Sequence, residues 1–444
     1  MEMYDNTYVR LKTERRGKFM KKIIIILVVL FLHGISSANM LNIPDTYGMH
    51  SSDSGTAKAF SLFADGFSAA YYNPAGLAQN SENHLSLDYI YAKPQLKIND
   101  TVAFSGPNEV GILGLKINLS NITTLNKKLS LGIILGVDKN FQGLLTIVDK
   151  GSESGQFLRY GRGQMLLIPS VGLEAYKGVF VGAGAYVSVK AAAEVEFDTT
   201  LAGDTSGESL EMKGKTFMAP IVGVLLNPGT LLDNKALDKI SIALAYRGTS
   251  NYVVRVKAQA TATLGDSPLA TIPLDLLFLD AFVPQQLELG VKGDPIKELD
   301  LTVSAGFAYY MWDQLDKFLK NDVVKNSLNL DFANVFSPKI GVEYGMADSL
   351  KLRAGYSLEP SPLKTERSPG VNLIDSTRHV VGVGAGYTFN KIPLLKYPLS
   401  ADAAYQMHLL SKRGFTLEQS DGSTLDVDAG GFVNSLNMTL TVRF

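Results

Sequence analysis

The chain ends on Leu436-Asn437-Met438-Thr439-Leu440-Thr441-Val442-Arg443-Phe444. Apolar side chains stand at every second position from Leu436, and polar ones stand between them. Successive side chains of a strand point to opposite faces, so this stretch reads as a strand with one apolar and one polar face. The same period recurs upstream. Leu85, Leu87, Tyr89 and Tyr91 alternate with Ser86 and Asp88, and Leu113, Leu115, Ile117 and Leu119 do so around Lys116 and Asn118. Leu129 to Val137, Val179 to Val189, Ile240 to Tyr246, Leu301 to Met311 and Leu350 to Tyr356 repeat the pattern.

A soluble sandwich also alternates. Two features favour a membrane. The strands run to about ten residues, the length that crosses an outer membrane when tilted. The connections alternate between short ones (121–127, 176–178, 293–298, 345–349) and long ones (139–163, 191–214, 261–283, 313–336, 357–377, 411–430). Short turns on one side and long loops on the other build outer-membrane barrels. The expectation is an all-β fold, a transmembrane antiparallel β-barrel of about fourteen strands, with both termini periplasmic. Tyr91, Tyr344, Tyr356, Tyr387 and Phe389 sit at strand ends, where an aromatic girdle belongs. The terminal Phe444 resembles the assembly signal of bacterial outer-membrane barrels, which implies the barrel-assembly machinery as a partner.

The N-terminus reads as an export signal. Arg15, Arg16, Lys18, Lys21 and Lys22 precede an apolar run, Ile23 to Leu32, too short to span a bilayer. Ser36-Ser37-Ala38 fits a cleavage site, which gives a signal over 1–38; Met20 is a plausible true start. Residues 39–83 do not alternate. Ser52 to Leu77 is crowded with Gly55, Ala57, Ala59, Ala64, Gly66, Ala69 and Ala70, and ends on Asn73-Pro74-Ala75-Gly76-Leu77. Pro74 pushes Asn73 out of the helical region, so short helices should stop there. The barrel then occupies 84–444.

This order is similar to the FadL/TodX family of hydrophobic-compound transporters. The resemblance rests on Asn73-Pro74-Ala75 ahead of the barrel, and on Val283 to Gly290 followed by Leu299 to Trp312. It rests also on Leu352-Arg353-Ala354-Gly355-Tyr356, Pro360, Pro362, Asp375-Ser376-Thr377-Arg378-His379 and Gly384-Ala385-Gly386-Tyr387. It covers essentially the whole mature chain. It implies a fourteen-strand barrel with residues 39–83 folded inside as a partly helical hatch. It implies outer-membrane passage of long-chain fatty acids or aromatic hydrocarbons, with release sideways into the bilayer. It maps Asn73, Pro74 and Ala75 onto a hatch contact with a kinked third strand at 128–138. Gly132 and Gly136 give that strand places to bend.

Residues 269–282 read as an apolar extracellular loop with Leu269, Ile272, Leu274, Leu276, Leu277 and Phe278. A loop this apolar needs a partner, and a capture groove for ligand is one. Self-packing or dipping into the membrane are the others. Arg247, Arg255 and Lys257 fall on the polar face. They could hold a carboxylate head group or pair with lumen acids such as Asp88 and Glu343. The formal charge of -1 lacks the basic face that a nucleic-acid partner needs. Cys is absent, G-x-S-x-G, H-E-x-x-H and P-loop signatures are missing, and the five His lack metal-ligand spacing. The expectation is therefore a monomeric, non-enzymatic carrier with no cofactor, surrounded by outer-membrane lipid. A general porin, and a barrel enzyme or adhesin acting through its loops, are the competing readings.

Overall fold

The computed structural model describes residues 39–40, 42–104, 106–120, 127–138, 153–160, 166–200, 205–264, 267–296, 299–315, 331–347, 349–368, 372–393 and 395–444. Residues 188–217 and 251–281 within those spans contribute strand backbone alone. The signal read over 1–38 lies outside the described residues.

Fourteen strands form the wall. They are β1 (His84–Ile98), β2 (Asn108–Asn118), β3 (Leu129–Asp138), β4 (Leu166–Tyr176), β5 (Val179–Thr200), β6 (Thr205–Leu226) and β7 (Ser241–Arg247). They continue as β8 (Gln285–Ile296), β9 (Leu301–Met311), β10 (Val335–Ala347), β11 (Leu350–Glu359), β12 (Arg378–Phe389), β13 (Leu399–Glu418) and β14 (Thr424–Arg443). Each pairs antiparallel with the next, and β14 pairs with β1 from Arg443↔His84 to Ala429↔Ile98. The sheet closes on itself and has no edge. Lipid demands this, because it offers no hydrogen bond to a free strand edge.

The side chains show which face meets lipid. Leu436, Met438, Leu440 and Phe444 are exposed, Met438 by 50 %, while Asn437, Thr439 and Thr441 are buried. Leu85, Leu87 and Tyr89 of β1 are likewise exposed, and Ser86 and Asp88 are buried. A soluble sandwich would do the reverse. Apolar out and polar in is the pattern of a transmembrane barrel. Among the described residues no helix is long and apolar enough to cross a membrane.

Three of the long connections are not loops. β5 and β6 run for 22 residues each, and β13 and β14 for 20 each, roughly twice the ~9–11 residues a membrane crossing takes. The stretches 191–214 and 411–430 are thus mostly hairpin extensions of the wall. The stretch expected as an apolar loop over 269–282 is also a strand, Ser267–Val283, paired with Ser250–Leu264. Its run of Leu, Ile and Phe satisfies a strand as well as a loop core, and a ladder satisfies the backbone as well. This hairpin leaves the wall, since β7 and β8 pair directly with each other, and 255–263 runs parallel beside 192–200 of β5.

Residues 42–79 lie within the ring. They form α1 (Ile43–Tyr47), α2 (Ser51–Gly55), a 3-10 turn (Ser61–Phe63), α3 (Ala69–Tyr72) and a second 3-10 turn (Pro74–Ala78). α2 touches β11 to β14, while the Pro74–Ala78 turn touches β3 to β6 on the opposite wall.

Candidate functional site

The site is the filled lumen. Its inner body is held in shape by local caps. The Asn42 side chain accepts from Asp45 N–H (3.0 Å) with Pro44 in the first turn of α1. His50 caps α2, and Asp53 reaches back to His50 N–H (3.0 Å). α3 ends where the sequence predicts. Asn73 is extended (φ −159°, ψ 95°) because Pro74 excludes the helical region before it.

The wall receives this body on glycines. A Cβ on Gly172 or Gly182 would meet the Pro74 backbone, one on Gly355 would meet Thr56, and one on Gly382 would meet Ser54. All four would fall under 3.0 Å, closer than real Cβ atoms come. Inner backbone therefore packs directly on wall backbone, at both ends of the lumen's width. No side chain lies between them to move aside.

The expected gate is arranged differently. β3 stays paired on both sides at Gly132 and Gly136. Its ladders to β2 and β4 run without a register shift. Gly132 instead makes room for Leu77 and Ala70, and Gly136 for Leu166. Asn73 does not reach β3. Its Nδ2 donates to Leu62 O (3.1 Å) and to Val224 O of β6 (3.2 Å), and its Oδ1 accepts from Ala75 N–H (3.2 Å). The Asn-Pro-Ala turn packs across β3 to β6, with Ala75 and Pro74 buried. Glycine on a strand signals either a bend or a close neighbour, and here it is the neighbour.

Arg247 is buried and committed to ion pairs. It bonds Glu288 (2.6 Å), Gln286 Oε1 (2.9 Å) and Tyr72 O (2.9 Å), and its guanidinium lies 5.0 Å from the Tyr71 ring centre. Lys339 also bonds Glu288. Asp45 takes Tyr71 Oη (2.6 Å) and Gln286 Nε2 (3.0 Å). Arg247 thus ties the wall to the inner body through Tyr72 O and the Tyr71 ring, and its acid partner is Glu288 rather than Asp88 or Glu343. Glu343 belongs to Arg353 and Lys351, and Asp88 accepts from Thr439. The side chains of Arg255, Lys257, Leu269, Ile272, Leu274, Leu276, Leu277 and Phe278 lie outside the described residues.

A second charged cluster was not singled out as a site from the sequence. Glu359 of β11 pairs with Lys58 (2.7 Å) and with Arg378 of β12. Arg159 forms a two-pronged bond to Asp375, 2.7 Å on each arm. Arg378 Nε and Nη1 have no hydrogen-bond partner among the described residues. Arg159, Glu359 and Arg378 line a small cavity together with Tyr310, Trp312, Val335, Ser337 and Pro360. The Tyr160 ring lies 5.0 Å from the Arg378 guanidinium, and its hydroxyl is 3.0 Å from His408 Nδ1. Burial pushes the Tyr160 hydroxyl up to about 12, so it stays protonated. Its backbone sits at φ 77°, a conformation a tyrosine holds only when its surroundings impose it. The signal for this cluster was available, because Asp375, Ser376 and Arg378 stand in the late-barrel pattern. Their convergence with Lys58 and Arg159 across the chain was not.

Three comparisons bear on this arrangement. Residues 36–444 match the model of the family described as outer membrane protein transport protein (OMPP1/FadL/TodX). Alkane uptake protein A of Marinobacter nauticus is 29% identical over 427 residues, which is 92% of this chain and 93% of that protein. The crystal structure of a Pseudomonas aeruginosa FadL homologue superposes with a TM-score of 0.56 at 15% identity, covering 93% of this chain and 99% of the other. The P. putida toluene transporter TodX does so at 0.51 and 13%, over 90% and 99%. The structures share the barrel fold, and the family match spans wall and inner body together. The chain belongs to the OMPP1/FadL/TodX family of outer membrane transport proteins.

Proposed function

We propose that this protein carries hydrophobic compounds across the outer membrane: long-chain fatty acids, alkanes or aromatic hydrocarbons. The carrying observation is the composition of the lumen. One buried apolar cluster runs through it, from Trp312 and Phe332 by the cavity to Tyr72, Tyr186 and Ile168 beside the inner body. A porin for polar solutes needs a water-filled path. This lumen offers apolar surface, and residues 39–83 act as a hatch across it. Ligand is captured at the extracellular mouth, where the 267–283 strand with Leu269, Ile272, Leu274, Leu276, Leu277 and Phe278 lies. It enters the cavity, passes the hatch and leaves sideways into the bilayer. The protein works as a monomer, and the barrel-assembly machinery reads the β14 strand ending in Phe444.

Within this reading Arg378 favours a ligand with a carboxylate end. Its Nε and Nη1 nitrogens, left without partners beside a buried cavity that Arg159 also lines, suit an anionic oxygen pair. The test is uptake of labelled long-chain fatty acid and labelled alkane by cells producing Arg378→Met, normalised to outer-membrane level. Fatty-acid uptake falls and alkane uptake holds. Equal uptake of both, unchanged from wild type, removes Arg378 from ligand recognition. A large steady ionic conductance of the purified protein in planar bilayers would instead favour the porin.

A further inference from the structure

We infer that the outer face of β1, β13 and β14 holds a phosphorylated glycolipid of the outer leaflet, with Lys93 and Lys97 on its phosphate groups. This contact lies outside the wall and is independent of what the lumen carries. β1 presents Leu85, Leu87, Tyr89 and Tyr91 outward, then Lys93, Gln95 and Lys97 in the same row, while Pro94 and Leu96 between them are buried. Short connections mark the periplasmic side of such a barrel, so β1 ends on the extracellular one. At ~3.3 Å per residue and a tilt of about 40°, Lys93 stands about 20 Å above Leu85, and Lys97 about 30 Å. The apolar band of such a wall is ~25 Å tall, so the two lysines straddle its extracellular rim. There a lysine stem lies along apolar surface while its ammonium reaches the headgroups.

The neighbouring strands widen this row into a patch. Lys93 pairs with Asn434 of β14, and Lys97 with Gly430. Beside Gly430 the β13–β14 register shifts between Leu410 and Arg413, so Ser411 and Lys412 together face it. A Cβ on Gly430 would meet Lys412 Cα at 3.4 Å. Lys97 and Lys412 thus flank one glycine, about 10 Å apart at two strand spacings, and both stems reach one phosphate. Lys412 already bonds Asp428 (2.9 Å), whereas Lys93 and Lys97 have no acidic partner among the described residues. The other acids of this face are engaged: Glu109 accepts from Tyr89 Oη and Asp426 from Thr416 Oγ1, each at 2.7 Å. Below the lysines, Leu87, Leu436, Met438 and Leu440 are exposed and offer a surface for acyl chains. At the height of the lysines, β8 to β12 present Gln285, Asn334 and His379 outward, and no lysine or arginine. The positive charge therefore sits on one side of the ring, above an apolar wall. That arrangement fits an anionic headgroup carried on acyl chains.

The test uses the full chain purified in detergent, with lipid bound read by native mass spectrometry. The probes are bisphosphorylated lipid A and the same lipid stripped of its phosphates. Wild type should bind the phosphorylated lipid more tightly. Lys93→Ser with Lys97→Ser should weaken that binding about thirtyfold, at about fivefold for each lysine beside an anionic lipid, and leave the stripped lipid unchanged. Lys93→Arg with Lys97→Arg keeps the charge and should bind like wild type. Lys235→Ser with Lys391→Ser, exposed on two short connections at the other end of the barrel, should change nothing. Equal binding of the two lipids by wild type overturns the assignment, and so does an equal loss with the Lys235 and Lys391 pair. Displacement of the lipid by inorganic phosphate alone would mark an ion site and also overturns it. Should the Ser pair fail to assemble, salt reads the same contact on wild type: the preference for phosphorylated lipid should fall as salt rises, and a preference unmoved by salt overturns the assignment.

Discussion

Replacing Gly182 by alanine tests whether the inner body is wedged or merely resting. The new methyl group would meet Pro74 and Ala75 backbone at under 3.0 Å, where ordinary contact begins at 3.4 Å. Neither partner is the end of a flexible side chain. Either β5 bows outward or the Asn-Pro-Ala turn retreats. Overfilling a packed contact costs about 1–3 kcal/mol. A retreating turn also pulls Asn73 off Val224 O and Leu62 O, at about 1 kcal/mol for each bond. With the turn retreating, the expected loss is roughly 3–5 kcal/mol in total, concentrated where the hatch meets β4 to β6. Gly111→Ala is the matched control, because a Cβ there meets nothing within 4 Å. The assays are thermal unfolding of the purified protein in detergent and ionic conductance in planar bilayers. Gly182→Ala should melt lower than wild type and leak ions, while Gly111→Ala should do neither. If the two variants behave alike, the glycine row is not what seats the inner body.

Three further outcomes follow from the same geometry. Phe444→Asp should lower outer-membrane levels far more than Arg443→Ala, measured by immunoblot of membrane fractions, because Phe444 closes the lipid-facing row of β14 and exchanges backbone bonds with Asn83 (3.0 and 3.1 Å). Asn73→Ala removes the side-chain bonds to Leu62 O and Val224 O and should cost about 1–3 kcal/mol of thermal stability, with surface level retained. Glu359→Gln strips the carboxylate from between Lys58 and Arg378 and should cost about 3–5 kcal/mol, whereas Glu343→Gln, nearer solvent, should cost less; thermal unfolding of the pair ranks them.

The alternation of residues such as Leu436 to Phe444 determined the wall: strand type, the apolar row toward lipid, and closure, because a two-residue period leaves one face apolar and lipid tolerates no open edge. Asn73-Pro74 likewise determined where α3 stops, since a residue before proline is a local constraint. The tertiary structure decided what each lumen residue touches. Gly132 reads the same whether it bends a strand or seats Leu77, and the difference lies in a neighbour more than fifty positions away. Arg247 could be matched to any lumen acid by sign, and only the register of β7 on β8 brings it to Glu288. The run over 269–282 is as apolar in a strand as in a loop, so composition could not separate them. Arg378, Arg159 and Lys58 converge from three distant segments, because a closed barrel brings residues together by their height and position around the ring. Neither coordinate is written in the spacing along the chain.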